Sequence, residues 1–113
     1  MKDCTWIESL PASITVCDAD GVILDMNASA AGSFSADGGL GLIGRSLLEC
    51  HPEPARSKAK QLLEKQEKNV YTIEKKGVKK LVYQAPWYNK GAFAGLVEIV
   101  LEIPAQIPHF KRA

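Results

Sequence analysis

Cysteine, excess charge and long apolar runs are all scarce in this chain, and each scarcity removes a class of function. The three cysteines, Cys4, Cys17 and Cys50, are odd in number and widely spaced. They form neither a disulfide framework nor a zinc-ligand pattern, and they point to a reducing, cytoplasmic setting. With 14 basic against 13 acidic residues the net charge is +1, so no strong field draws the chain to nucleic acid. No segment approaches the ~20 consecutive apolar residues that cross a bilayer. The leading Met1-Lys2-Asp3-Cys4 lacks the apolar core of a secretion signal. Asn27-Ala28-Ser29 therefore spells an idle glycosylation acceptor. Neither a nucleic-acid nor a membrane partner is expected.

What is present is ordinary for one globular domain: 113 residues, 46% hydrophobic and 24% charged. Residues 3–10 read as a short amphipathic helix with Trp6, Ile7 and Leu10 on one side, limited by Pro11. Ser13–Cys17 and Val22–Met26 read as strands joined across Asp20-Gly21, a pair that tolerates positive φ. Asn27 precedes Ala28-Ser29-Ala30-Ala31 as a helix cap, with a short helix to about Phe34. The glycines of Gly38–Gly44 argue for a loop with one helical turn, and Arg45–Cys50 for another single turn stopped by His51-Pro52. Glu53–Lys68 is the clearest helix, with Ala55, Ala59, Leu62 and Leu63 on one stripe.

The last third is β-rich: Val70–Lys75, Lys79–Tyr88 and Ala92–Ile103, separated by Lys76-Gly77 and Asn89-Lys90-Gly91. On the final strand Phe93, Val97, Ile99, Leu101 and Ile103 take one face; Leu96, Glu98, Val100 and Glu102 take the other. The order β-β, short helices, one longer helix, β-β-β is an α+β domain with helices on one face of a five-stranded antiparallel sheet. The expected division is an N-terminal helix or cap at 1–12, the domain proper at 13–103 and a Pro-containing tail at 104–113.

Three ordered segments carry a resemblance. Asp20-Gly21-Val22-Ile23 followed by Asn27 resembles the first hairpin of the PAS family and the Asn that opens its next helix. Leu42-Ile43-Gly44-Arg45-Ser46-Leu47 is similar to the segment before the family's long helix, and Gly95–Ile103 to its last strand. Cys50-His51-Pro52 resembles the same stretch of a subset of bacterial PAS modules. The resemblance covers roughly residues 8–103. It implies a sensory, signal-transducing module, not an enzyme, that binds a small molecule and acts through dimerisation or a partner in trans, including in regulation of transcription. A ligand-free interaction module is the alternative, and a haem-based redox or gas sensor using His51 is a further one. Pro104 and Pro108 oppose the helical linker that usually follows in the family, and no output domain precedes Ala113. Output in trans is expected for that reason.

The candidate cavity is set between sheet and helices, lined by Ile73, Leu81, Tyr83, Trp87, Phe93, Val97 and Ile99, with Phe34, Leu42, Ile43, Cys50 and His51 from the middle segment. A filled core accounts for the same aromatic stripe. The opposite face, with Val82, Leu96 and Val100, is expected to be covered by Trp6, Ile7 and Leu10 of the same chain or of a second copy, making a homodimer. The ligand is unknown. The resemblance allows haem, with His51 as a weak metal candidate, although a His before Pro often only caps and packs. The Asn-Cys-Arg segment of the photoactive flavin subset is absent, so flavin photochemistry is not expected.

Gly39-Leu40-Gly41-Leu42-Ile43-Gly44 spells the dinucleotide fingerprint but lacks a preceding strand and a downstream acidic strand end; a flap beside the cavity is the better reading. Asp18, Asp20 and Asp25 lack the rest of a calcium loop and suit turn chemistry. Lys75, Lys76, Lys79 and Lys80 crowd a hairpin tip without interleaved aromatics and read as a solvated turn. No nucleophile elbow or paired acid–base motif supports catalysis.

Overall fold

The computed structural model describes residues 4–113, apart from the Cys50 side chain. Helix α1 (Thr5–Ser9) is followed by strands β1 (Ser13–Cys17) and β2 (Ile23–Met26) and helix α2 (Ala28–Ser33). Three 3-10 turns follow, at Ser35–Asp37, Gly39–Leu42 and Leu47–Cys50. Helix α3 (Ala55–Lys65) then leads into the long strands β3 (Asn69–Lys75), β4 (Val78–Asn89) and β5 (Ala92–Ile103). The five strands form one antiparallel sheet in the order β2-β1-β5-β4-β3, so the last strand sits at the centre beside the first.

The first hairpin is looser than a two-residue turn. Asp18 Oδ1 accepts from the amides of Asp20 and Val22, both at 2.9 Å, and Gly21 takes φ 87°. Asp18, rather than Asp20, organises the turn. Asn27 caps α2 as its position predicts. Its Oδ1 accepts from Ala30 N and Ile14 N, each at 3.0 Å, and its Nδ2 donates to the carbonyls of Ile7 and Ala12. One fully buried amide therefore ties α1, β1 and α2 together.

Helix α3 is shorter than the expected Glu53–Lys68. Glu53 stays outside it and accepts from the Ser57 amide and hydroxyl, holding the free helix start. Gln66 ends it in the left-handed conformation, φ 56°. The predicted stripe is the packed one: Ala59, Leu62 and Leu63 are buried against Cys17, Ile23, Met26, Ala30, Leu42, Leu47 and Leu96. These residues define the inner, helix-covered face of the sheet.

The Gly-rich run is pinned rather than hanging free. Leu42 is buried, Gly44 N donates to Ile23 O at 2.7 Å, and Ile23 N to Arg45 O at 2.9 Å. It has a 3-10 turn where a dinucleotide fingerprint needs a strand.

Candidate ligand cleft

A polar row crosses four strands of the inner face. Thr15 on β1 stands opposite Glu98 on β5, Glu98 opposite Gln84 on β4, and Gln84 opposite Asn69 on β3. Because side chains alternate along a strand, all four point to the same side of the sheet. Asn69 Nδ2 donates to Gln84 Oε1 at 2.9 Å, and Gln84 Nε2 donates to Glu98 Oε2 at 2.7 Å. The direction is forced: an ionised carboxylate only accepts, so Gln84 must turn its amide nitrogen to Glu98 and its oxygen to Asn69. At the far end Thr15 is 4% exposed, and its Oγ1 has no hydrogen-bond partner among the described residues.

The row floors a cleft under α3 and the His51 segment. One arm, about 400 Å³, is walled by His51, Pro54, Ala55, Lys58, Ala59, Asn69, Tyr71 and Gln84. A second arm, about 190 Å³, shares His51 and Tyr71 and runs past Phe34, Ile73, Lys80, Val82, Glu98 and Val100. Deeper, between Thr15, Cys17, Leu62, Leu96 and Glu98, only about 10 Å³ remains, room for one water-sized group. The core beneath is thus filled and the space lies at its polar margin. Such a cleft, mainly apolar with a few convergent polar groups, has the make-up of a small-molecule site.

His51 is half-buried, with Nδ1 2.8 Å from the Leu47 carbonyl. That contact places the proton on Nδ1 when the ring is neutral and leaves Nε2 as an acceptor. Burial, with a smaller push from the Glu98 charge, raises the Tyr71 phenol above its ordinary range and keeps it a neutral donor. Burial also raises the Cys17 thiol, which makes it a poor nucleophile. Among the described residues no group of three His, Cys, Asp or Glu side chains is placed to hold a metal.

The structure reverses the expected assignment of the two sheet faces. Val82 and Leu96 are buried under the helices, and Val100 faces the second arm of the cleft. Leu81, Tyr83, Val97 and Ile99 lie on the opposite face, where they pair with Leu101, Val70, Val16 and Ile14 across the strands. The more apolar face is the uncovered one, and the face carrying Gln84 and Glu98 is the inner one. Phe93 is inner after all, because the register shifts between Trp87 and Tyr88 and the alternation restarts there.

Trp87 lies over Gly95, and its Nε1 donates to the Cys17 carbonyl at 3.0 Å. Of the middle-segment candidates, Phe34 and His51 wall the cleft, Leu42 is core, and Ile43 is 39% exposed. The Cys50 side chain lies outside the described part of the chain. Helix α1 rests against α2, with Trp6 67% exposed; Leu96 packs in the core with α3 instead, and Val82 and Val100 stand beside Phe34 and His51 on the second arm of the cleft. Thr15, Asn69, Tyr71 and Glu98 were not foreseen as site residues. Their signal was polar side chains at positions that face one another across neighbouring strands.

A five-stranded antiparallel sheet in this order, helices on one face and a cleft between them, defines a two-layer α+β domain. The sequence matches the PAS fold family over residues 7–105, and the chain belongs to that family. No curated protein matches it. Among solved structures, a C-terminal domain from Streptococcus mutans is similar with TM-score 0.73 and 23% identity, over 90% of this chain and 83% of that one. The PAS domain of Bordetella pertussis BvgS gives TM-score 0.68 and 19% identity, over 93% and 86%. The Aer2 receptor of Vibrio cholerae, a dual PAS-heme oxygen sensor, gives 0.58 and 15%, over 81% and 94%. No helix among the described residues is long and apolar enough to cross a membrane.

Proposed function

We propose that this PAS domain is a non-enzymatic sensory module whose helix-side cleft takes a small molecule and whose opposite sheet face pairs with a second copy or a partner protein. The observation that supports this reading most is the polar row Thr15–Glu98–Gln84–Asn69 at the floor of the cleft. A row that served only to fill a core would be apolar, since buried polar groups stabilise poorly against apolar replacements. On the reverse face Ile14, Ile99, Tyr83 and Val70 form a facing row, none of which is buried. An apolar sheet face left uncovered is a surface for association.

Alternation links the two jobs. Gln84 and Glu98 contact the cleft, while their chain neighbours Tyr83 and Ile99 face outward. A ligand that shifts β4 against β5 on the inside moves the outer row as well and biases one association state. The buried free thiol of Cys17 suits a reducing, cytoplasmic setting.

Native mass spectrometry of the freshly purified chain tests this reading. A bound small molecule is expected, and it should be lost in Ala55→Trp, which fills the cleft from its half-buried wall. A bare mass for the wild-type chain would leave an interaction module without a ligand.

A second reading is haem, supported by the likeness to Aer2 and by His51, whose Nδ1 contact to the Leu47 carbonyl is the outer-shell bond of a ligating imidazole. His51 would be its one protein ligand, for no second His or Cys walls the described cleft. A Soret band in the fresh protein, absent in His51→Ala, would establish it. A colourless protein would remove it.

A further inference from the structure

The cleft's chemistry goes further than the size of its occupant. Resting on the small-molecule reading above, we infer that its ligand carries a compact cationic head, a primary ammonium on an organic body, seated between Glu98 and Thr15.

Three observations converge on this head group. Glu98 brings a formal negative charge to the inner face. Among the described residues its carboxylate takes one hydrogen bond, from Gln84 to Oε2, and no Lys or Arg forms an ion pair with it. An inward carboxylate without a cation is unfavourable unless something supplies the counter-charge. Thr15 Oγ1, directly across the strand pair from Glu98, is buried with no partner among the described residues. A group that donates to both would satisfy the hydroxyl's lone pairs and the carboxylate together.

The third observation is space. Beside Thr15 and Glu98 there is room for about one water-sized group, about 10 Å³. An –NH3+ group has that size. A carboxylate, a guanidinium or a trimethylammonium does not, and a carboxylate would also meet Glu98 as a like charge. The body of the ligand then extends into the roomier arm, about 400 Å³, past Tyr71 and Ala59. Lys58 is exposed at the mouth of that arm and half-buried Lys80 stands with Glu98 on the second arm, but neither forms an ion pair with the carboxylate, so the place beside Thr15 stays open for a cation.

The test uses three probes of nearly equal shape on the full chain: phenethylamine, phenylacetate and phenethyl alcohol, titrated by calorimetry. Phenethylamine is expected to bind at least about tenfold more tightly than the other two, the preference a charge-assisted hydrogen bond supplies. Glu98→Gln should abolish that preference. Thr15→Val should weaken phenethylamine binding while raising the melting temperature of the free protein, because it removes an orphaned hydroxyl; this shows that the variant folds. Preference for phenylacetate or phenethyl alcohol would overturn the ammonium head while leaving a small-molecule cleft in place. So would phenethylamine binding unchanged in Glu98→Gln. Failure of all three probes to bind would overturn the inference as well, and the native mass spectrum of the fresh protein then decides the wider reading separately.

Discussion

Gln84 Nε2 donates to Glu98 Oε2 at 2.7 Å between neighbouring strands β4 and β5, and this bond joins the two strands in the polar floor of a cleft. Gln84→Leu should destabilise the fold by about 1–3 kcal/mol in urea denaturation, because it strands Glu98 and Asn69 together. The double variant Gln84→Leu/Glu98→Leu should recover part or all of that loss, since an apolar pair replaces a buried polar one. It should no longer retain a small molecule. A double variant less stable than the sum of its single changes would show that the row serves stability first.

Gly95 has a steric reason to be glycine. A Cβ there would meet the Cys17 carbonyl oxygen at 1.9 Å, and its φ is +147°. The absent side chain lets that carbonyl approach and receive the Trp87 indole. Gly95→Ala should cost roughly 3–5 kcal/mol or prevent folding, because both backbone and carbonyl would have to move. Trp87→Phe should cost only about 1–2 kcal/mol, the loss of one hydrogen bond.

Asn27 separates two roles in one side chain. Asn27→Asp keeps the acceptor that caps α2 but loses the two donors to Ile7 and Ala12. The domain should stay folded while residues ahead of Ser13 become open to limited proteolysis. Asn27→Ala loses cap and donors alike and should cost about 2–4 kcal/mol, a cap of about 1 kcal/mol plus buried groups left unpaired.

On the uncovered face, Tyr83→Glu/Ile99→Glu should shift sedimentation toward the monomer without lowering the melting temperature by more than about 1 kcal/mol equivalent, as is usual for surface changes. Val82→Glu should instead unfold the protein, since Val82 is 3% exposed. Equal effects of the two changes would contradict the assignment of the faces.

Alkaline pH should weaken the fold. The Cys17 and Tyr71 pKa values are raised in the folded state, chiefly by burial, from ordinary values of 9.0 and 10.0. The unfolded chain therefore releases these protons first. Their contribution to stability is complete below the unfolded values and is lost as pH rises through the folded ones. The melting temperature should fall from about pH 8 to about pH 10.5, and less steeply in Cys17→Ala than in the wild-type chain over the lower part of that range.

Order and approximate bounds were legible because local chemistry writes them. Lys76-Gly77 and Lys90-Gly91 all take positive φ at the two tight turns, Asn27 caps α2, and the Ala59–Leu62–Leu63 stripe packs as its spacing requires. The faces of the sheet were not legible from hydrophobicity. The rule that the apolar face is the core assumes a chain that covers its own apolar surface. Here Ile14, Tyr83 and Ile99 stay partly open, while Thr15, Gln84 and Glu98 turn inward. Phe93 faces inward, as a cavity residue was expected to, but it parts from Val97 and Ile99 because the register shift beyond Trp87 interrupts the period of two. The polar row came from four strands spread along the sequence, so only their pairing across the sheet revealed it.

The central claim is that one sheet divides its two faces between ligand and partner. Backbone NMR of the isotope-labelled chain tests it most directly, by adding the low-molecular-weight fraction of an extract from the expressing cells and, separately, by dilution. The largest ligand-induced amide shifts are expected at His51, Asn69, Tyr71, Gln84 and Glu98, and the largest dilution shifts at Ile14, Val70, Tyr83 and Ile99. Ligand-induced shifts centred on Tyr83 and Ile99, with Gln84 and Glu98 unmoved, would contradict that claim.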